Sequence, residues 1–401
     1  MKLIEVKSRK TAKQFLDVAR IIYKDDDFWV CPLDSQVEAV FNPKKNVFYR
    51  NGETVRWILK NDKDELIGRV AAFINWKKAN NFDQPTGGMG FFECINDKKA
   101  ALMLFDKCKE WLLEKGMKAM DGPINFGEND RFWGLLVEGF TQPAYGMQYN
   151  YPYYKDFFED YGFKFYFEQV SNSLDLKKPF PERFWKIAGW IQQKKVYTFK
   201  HFRIDNAEKY LRDIKEIYDT AWEFHENNTP VAFDELRRTL KELKKFVVEE
   251  FIWLVYAENK PIAFLVMIPD INQVIKQFDG KMNLLKMLKF NRLLKSNIIT
   301  RSRITIMGIV PKYQKSGVES GIFWNLDKVM KTKPHYTHIE LSWVGDFNPK
   351  MRTLHESVGG VFANRHITYR KLFDENIEYH RSTIIPRDTK EKVIKKLSNN
   401  K

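Results

Sequence analysis

Cysteine is scarce. Three residues in 401 (Cys31, Cys94, Cys108), with no C-x-x-C pair, exclude a disulfide framework and a zinc ribbon. The seven histidines are scattered and form no H-x-x-x-H pair, so no metal site is expected. No apolar run approaches the ~20 residues that a membrane-spanning helix needs. The opening MKLIEVKSRKTAKQF lacks the apolar stretch of a signal peptide. The aromatic-basic signature of an RNA-recognition module is missing too, so nucleic acid is not the expected partner. Together these absences predict a cytoplasmic protein.

Aromatic residues and positive charge are plentiful. Phe (32) and Tyr (17) make up most of a 15% aromatic share, which suits large cores or a greasy ligand channel. A length of 401 residues predicts two domains. The balance of 67 basic and 52 acidic residues leaves +15, which attracts anions. A solvated basic surface accounts for that excess equally well.

The chain also repeats an order of elements. In the second half a helical face over 206–224 and a helix at 233–246 precede strands at 251–257 and 261–268. A basic interruption (269–302), a strand (303–310), a helix (318–331), a strand (336–343), a short helix ending at Val358 and a strand near 366–373 follow. The first half reads similarly: strand 2–7, helix 11–23, hairpin 54–74, strand 89–95, helix 98–115 and strand 117–123. Each half then has Asn and Pro, a short helix, and Glu-x-x-Gly (Glu159–Gly162, Glu356–Gly359). The spacing predicts a duplicated mixed α/β domain: one over 1–178, a second over 190–375, and a basic tail at 376–401.

Between the strand at 303–310 and the helix at 318–331 lies Gln314-Lys315-Ser316-Gly317-Val318-Glu319. Backbone N–H groups in such a turn, the helix N-terminus and Lys315 suit a phosphate, Gly317 has no Cβ to keep it away, and Glu319 beside it is expected to point its side chain outward. A turn that binds nothing is the plainer alternative. The order and this turn resemble the GNAT superfamily of acyl-CoA-dependent acyltransferases, although Glu319 departs from its glycine or alanine. Asn348, Met351, Leu354, His355 and Gly359 match the spacing of the superfamily's later helix. In the first half, Gly68-Arg69-Val70-Ala71-Ala72-Phe73, Gly90-Phe91-Phe92-Glu93, Gly122-Pro123-x-Asn125-Phe126 and Tyr149-Asn150-x-Pro152-x-Tyr154 resemble bacterial two-domain GNAT-like N-acyltransferases, a group that includes the bacterial ceramide synthases.

The resemblance implies acyl-CoA or acetyl-CoA as co-substrate and an amine as acceptor. It implies CoA contacts at Gln314, Lys315, Ser316, Gly317 and Val318, with a backbone N–H of Ile309 or Val310 polarising the thioester carbonyl. Asn348 would either bond the pantetheine arm or cap its helix. His355 holds the spacing of the superfamily's proton-donating tyrosine, and an imidazolium could serve; a helix-end histidine is the alternative. Glu93 is the favoured base, or a buried structural carboxylate. Gln-x-x-Gly is missing from the first half, where Asp97 reads as a helix cap. The first domain therefore takes the acceptor-shaping role, with Asn125, Asn129, Glu138, Tyr149, Asn150 and Tyr154 as candidate contacts in an apolar loop.

The stretch 281–295 joins Lys281, Lys286, Lys289, Arg292 and Lys295 to several leucines and has no acidic residue. It reads as an amphipathic segment at an anionic membrane, or as a helix packed on its own domain. Three functions stay open: N-acylation of a long-chain amine such as a sphingoid base, N-acetylation of a small polar amine or peptide, and non-catalytic binding of acyl-CoA or lipid.

Overall fold

The computed structural model describes residues 1–129, 131–223, 232–244 and 246–382. The expected basic tail lies outside the described residues from 383 onward. In chain order the first elements are β1 (Lys2–Glu5), α1 (Arg9–Ile22), α2 (Asp34–Val40), β2 (Gly52–Lys60), β3 (Leu66–Asn75), α3 (Trp76–Ala79), β4 (Thr86–Cys94) and α4 (Lys98–Glu114). They continue with β5 (Ala119–Gly122), β6 (Leu135–Glu138), α5 (Tyr154–Asp160), β7 (Lys164–Asp175), α6 (Glu182–Gln193), β8 (Tyr197–His201), α7 (Ala207–Trp222), α8 (Phe233–Leu243) and β9 (Ile252–Ala257). Last come β10 (Lys260–Pro269), α9 (Asn272–Ile275), α10 (Leu284–Lys295), β11 (Arg301–Ile309), α11 (Val318–Lys331), β12 (His338–Gly345), α12 (Pro349–Ser357) and β13 (Val361–Leu372).

The chain divides into two compact units, and the division is interleaved. The first holds Met1–Gln169, Asn272–Arg292 and Asn364–Ser382; the second holds Val170–Ile271 and Leu293–Ala363. Of the basic interruption of the second half, Asn272–Arg292 thus joins the first unit, and so does most of the last strand.

In the first unit the strands run β1-β2-β3-β4-β5, antiparallel except for the parallel pair β4–β5. The Asn364–Leu372 part of β13 lies beside β5, with Tyr369 opposite Gly122 and Leu372 opposite Ala119. A buried ion pair locks this junction: Arg370 donates from Nε and Nη2 to the two carboxylate oxygens of Asp121 at 2.6 and 2.8 Å. Helix α4 turns Ala100, Leu104, Phe105, Cys108 and Leu112 onto the sheet, where Val70, Phe92 and Phe158 complete the core. Residues 272–292 are bolted on by Arg20, which binds the Asp279 carbonyl at 3.2 Å, and by the Asp34 N–H on the Gly280 carbonyl at 2.9 Å.

The second unit repeats the order as β8-β9-β10-β11-β12, again with only the last pair, β11–β12, parallel. Phe202, Tyr210, Ile214, Ile217, Leu254 and Phe264 form a core between α7 and the sheet. Helix α6 packs on α11, with the Trp185 and Trp324 rings 4.4 Å apart. Both units end their short helix alike. Gly162 and Gly359 take left-handed φ of 87° and 90°, and the next N–H returns to Phe158 O (3.1 Å) or His355 O (2.8 Å). Glycine is the residue that ends a helix this way without strain.

Candidate active site

The strands β11 and β12 pair in parallel only from Arg301–His338 to Ile304–Leu341. Beyond that point β11 continues on β10 alone, as far as Ala263–Ile309, with a bulge at Val266/Met267. Past the parting, Thr305, Ile306 and Ile309 on β11 and Ser342 and Trp343 on β12 are only half-buried. The Val310 N–H is already used, because it donates to Ile262 O at 2.9 Å. Of the two backbone donors expected here, Val310 is therefore withdrawn. Bonding alternates along an antiparallel ladder, so the Ile309 N–H faces the side that β12 has left.

The chain then enters the turn. Lys315 and Gly317 both take positive φ, 70° and 85°, and α11 starts at Val318 with no side-chain cap. Among the described residues, the N–H groups of Lys315, Gly317 and Val318 donate to nothing. Adjacent free N–H groups at such a turn form a concavity suited to an anion. Gln314 fastens the turn to the strand: its Nε2 donates to Ile309 O and its Oε1 accepts from Lys350 Nζ, both at 3.2 Å. Ser316 Oγ is buried without a partner among the described residues.

Two details differ from the sequence reading. Gly317 was expected to let a phosphate approach; instead a Cβ there would lie 2.7 Å from Ile187 Cγ2 and 3.3 Å from Ile191 Cγ1. Positive φ and the close approach of α6 require the glycine. Glu319 was expected to point outward, yet its Oε2 is buried with no partner among the described residues; burial raises its carboxyl above the usual range, opposed by a hydrogen bond from its own N–H.

Helix α12 supplies the remaining candidates. Asn348 Oδ1 accepts the Met351 N–H at 3.3 Å, so the capping alternative is the one observed. His355 is buried, its Nδ1 has no partner among the described residues, and burial plus the Arg352 charge lower its pKa to about 4. The expectation of an imidazolium donor is corrected accordingly: the ring is neutral at neutral pH.

In the first unit the corresponding strands part too, after Gly88–Asp121, but the gap is filled. The chain leaving β5 folds back over β4. The Ile124 N–H donates to Met89 O at 2.8 Å, and a Cβ on Gly90 would lie 1.8 Å from Ile124 O. The N-terminus of α4 is also occupied, since Asp97 Oδ1 accepts the N–H groups of Lys99 (2.8 Å) and Ala100 (3.2 Å).

Glu93 is sealed in this unit. Tyr23 donates to its Oε2 at 2.5 Å and Tyr154 at 3.0 Å, while Arg69 lies 3.5 Å from Oε1. Desolvation raises its carboxyl, and these three partners oppose the shift. The structural alternative for Glu93 fits this setting better than a base does. Three expected acceptor contacts are likewise committed. Tyr154 also accepts the Cys94 N–H (2.9 Å), Asn150 clasps both polar groups of Leu136 (2.8 and 3.0 Å), and Tyr149 donates to Asp26 (2.7 Å). Asn129 and Glu138 are exposed, the latter 3.4 Å from Arg365. Asn125 alone of this set is buried with an Oδ1 that has no partner among the described residues.

Sequence reasoning missed α6 and Lys350. The spacing of Phe184, Ala188 and Ile191 after Pro181 marks one helical face and was the available signal for α6. A cleft of about 120 Å³, lined by Val247, Pro269, Ile299 and Tyr336, lies by the start of β11, at the opposite end of that strand from the turn. Among the described residues no helix is long and apolar enough to cross a membrane.

No family model matches the chain. The tandem GNAT protein from the clavulanic acid biosynthesis pathway superposes with a TM-score of 0.56 over 94% of this chain and 99% of that one, at 9% identity. The fold is that of a tandem GNAT protein. A GCN5-related N-acetyltransferase from Sphaerobacter thermophilus gives the same GNAT fold, with a TM-score of 0.52 over 95% of this chain and 98% of that one, at 11% identity. In sequence, the chain is similar to the bacterial ceramide synthase of Caulobacter vibrioides (strain NA1000 / CB15N), 25% identical over 387 residues, 92% of this chain and 97% of that protein.

Proposed function

We propose that the chain is an N-acyltransferase that takes its acyl group from acyl-CoA at the second unit and passes it to an amine. The observation that carries this reading is the conjunction of parted strands with an uncapped turn whose Lys315, Gly317 and Val318 N–H groups are open. The pyrophosphate of CoA would lie on those groups beside the Lys315 ammonium. The thioester carbonyl would face the Ile309 N–H, which stabilises the oxygen as charge develops on it. The amine nitrogen attacks the carbonyl carbon and the C–S bond breaks. A neutral His355 takes the proton from the amine and then returns it to the departing thiolate.

The specific acceptor we infer is a long-chain amine of the sphingoid type, with a long-chain acyl-CoA as donor. The similarity to a ceramide synthase along nearly the whole chain supports it, as does the aromatic richness of the sequence. A second reading, binding of acyl-CoA without turnover, is favoured by Glu319, whose buried carboxyl lies next to the turn. Incubating the protein with long-chain acyl-CoA or acetyl-CoA and a sphingoid base, and separately with a short polar amine, decides among these. Mass spectrometry should show the long-chain amide. Acylation of the short amine alone would select the acetyltransferase reading. Binding with neither product would select the second one.

A further inference from the structure

Helix α10 exposes apolar surface where a solvated helix face would carry polar residues. Leu284, Leu285 and Leu288 are 80%, 77% and 68% exposed, the three most exposed large hydrophobics among the described residues, and Met287 adds 41%. At 100° per residue the three leucines fall within one quarter-turn or so of the helix. The opposite face is anchored. Phe290 is buried against Phe278 with ring centroids 5.8 Å apart, and Lys286, tucked in, donates to Phe278 O at 3.2 Å. Asn283 caps the start by accepting the Lys286 N–H at 2.9 Å. The leucines are therefore held outward by a fixed helix.

Lys281, Lys289 and Arg292 are exposed around them, and no ion pair to any of the three occurs among the described residues. The stretch from 281 to 292 has no acidic residue. Two copies docking through this face would bring like charges together, which disfavours self-association. An apolar ridge inside a cationic rim is complementary to an anionic lipid surface, where leucines enter the acyl region and the cations meet head groups. We infer that α10 docks the protein on anionic membranes through Leu284, Leu285 and Leu288, with Lys281, Lys289 and Arg292 as its electrostatic rim. This goes beyond the acyl-transfer reading and does not depend on it.

Cosedimentation of the full chain with vesicles tests it. The wild type should pellet with phosphatidylglycerol–phosphatidylcholine vesicles and stay in solution with phosphatidylcholine alone. Raising salt from ~0.1 M to ~1 M cuts the Debye length from ~10 Å to ~3 Å and should weaken the binding. A Lys281→Glu/Lys289→Glu/Arg292→Glu variant should bind about a hundredfold more weakly or worse, at about one kcal/mol per basic residue lost. A Leu284→Asn/Leu285→Asn/Leu288→Asn variant should also lose binding while keeping the wild-type thermal transition. The native cysteines are buried, so a Leu288→Cys variant can be labelled selectively with a polarity-sensitive dye, which should shift to the blue on anionic vesicles. Wild type that ignores anionic vesicles, a leucine variant that binds as wild type does, or a dye that does not shift would each overturn the inference. Self-association abolished by the leucine variant without vesicle binding would assign the face to a second copy instead. Capture of an acidic protein with no vesicle binding would assign it to that protein.

Discussion

The two units share a strand order, a parallel pair that parts after a few residues, and a glycine-ended short helix, yet they treat the gap between the strands in opposite ways. In the first unit the chain after β5 closes it, with the Ile124 backbone on Met89 and no room at Gly90 for a side chain. Strand β4 is buried there except at Phe91. In the second unit β11 is half-exposed past the parting, and the helix that follows starts uncapped. Asp97 gives the first unit's helix its own anion, whereas at the start of α11 the N–H groups of Lys315, Gly317 and Val318 donate to nothing among the described residues. A duplicated fold thus has one copy filled from within and one whose strand stays partly exposed past the parting.

The sharpest break of the comparison is at the glycines. Gly90→Ala drives a Cβ against backbone that cannot rotate away and should cost ~4 kcal/mol or more. At Gly308 an added Cβ meets side-chain rather than backbone atoms, the rings of Phe264 and the half-buried Trp222 at 2.7 Å, so Gly308→Ala should cost less, ~1–3 kcal/mol. Urea unfolding measures both, and equal costs would mean that the first gap is not filled as described.

Next in size is catalysis. His355→Gln should lower kcat by ~10²–10⁴ with little change in KM for acyl-CoA. Glu93→Gln should reduce stability but leave the kcat of the folded protein for the proposed acyl transfer within about threefold. Steady-state kinetics with a long-chain amine reads both, and the reverse pattern would return the base to the first unit.

The same histidine gives a pH signature. Its folded pKa, about 4, lies below the ordinary value near 6.5, so the unfolded chain binds more protons in that window. Its contribution is intact above pH ~6.5 and is lost as pH falls toward ~4, the loss being about 2 kcal/mol at pH ~5. His355→Gln should flatten this part of the stability–pH curve. Chemical denaturation at pH ~5 and ~7 checks the slope, and an unchanged slope would refute a buried neutral ring.

The smallest effects separate the helix starts. Lys315→Glu should weaken CoA binding about tenfold, because it places a like charge by the pyrophosphate. Asp97→Ala should cost ~1 kcal/mol of stability and leave CoA affinity unchanged. Calorimetric titration shows whether the two ends differ.

Much of the fold was legible because it rests on local patterns. The 2.0 and 3.6 periodicities placed β2, β3, β9, β10, α4 and α11 within a residue or two, and glycine marked both helix ends. What escaped was non-local. Nothing in the spacing of Gly317 announces Ile187, 130 residues earlier, as the reason for it. Asn150, Tyr149 and Tyr154 have the side chains of ligand contacts, and only the packed structure shows their hydrogen bonds spent on Leu136, Asp26, Cys94 and Glu93. His355 was placed by spacing, but its protonation depends on burial, which a spacing cannot express.

The Arg370–Asp121 pair bears on how the polypeptide emerges during synthesis. The edge of β5 stays open until residues near 370 arrive, some 249 positions later. A ribosome adding about 5–20 residues per second would expose that edge for ten seconds or more. The first unit to be made is therefore among the last to be finished, and it is during this interval that a nascent chain is open to mispairing with its neighbours.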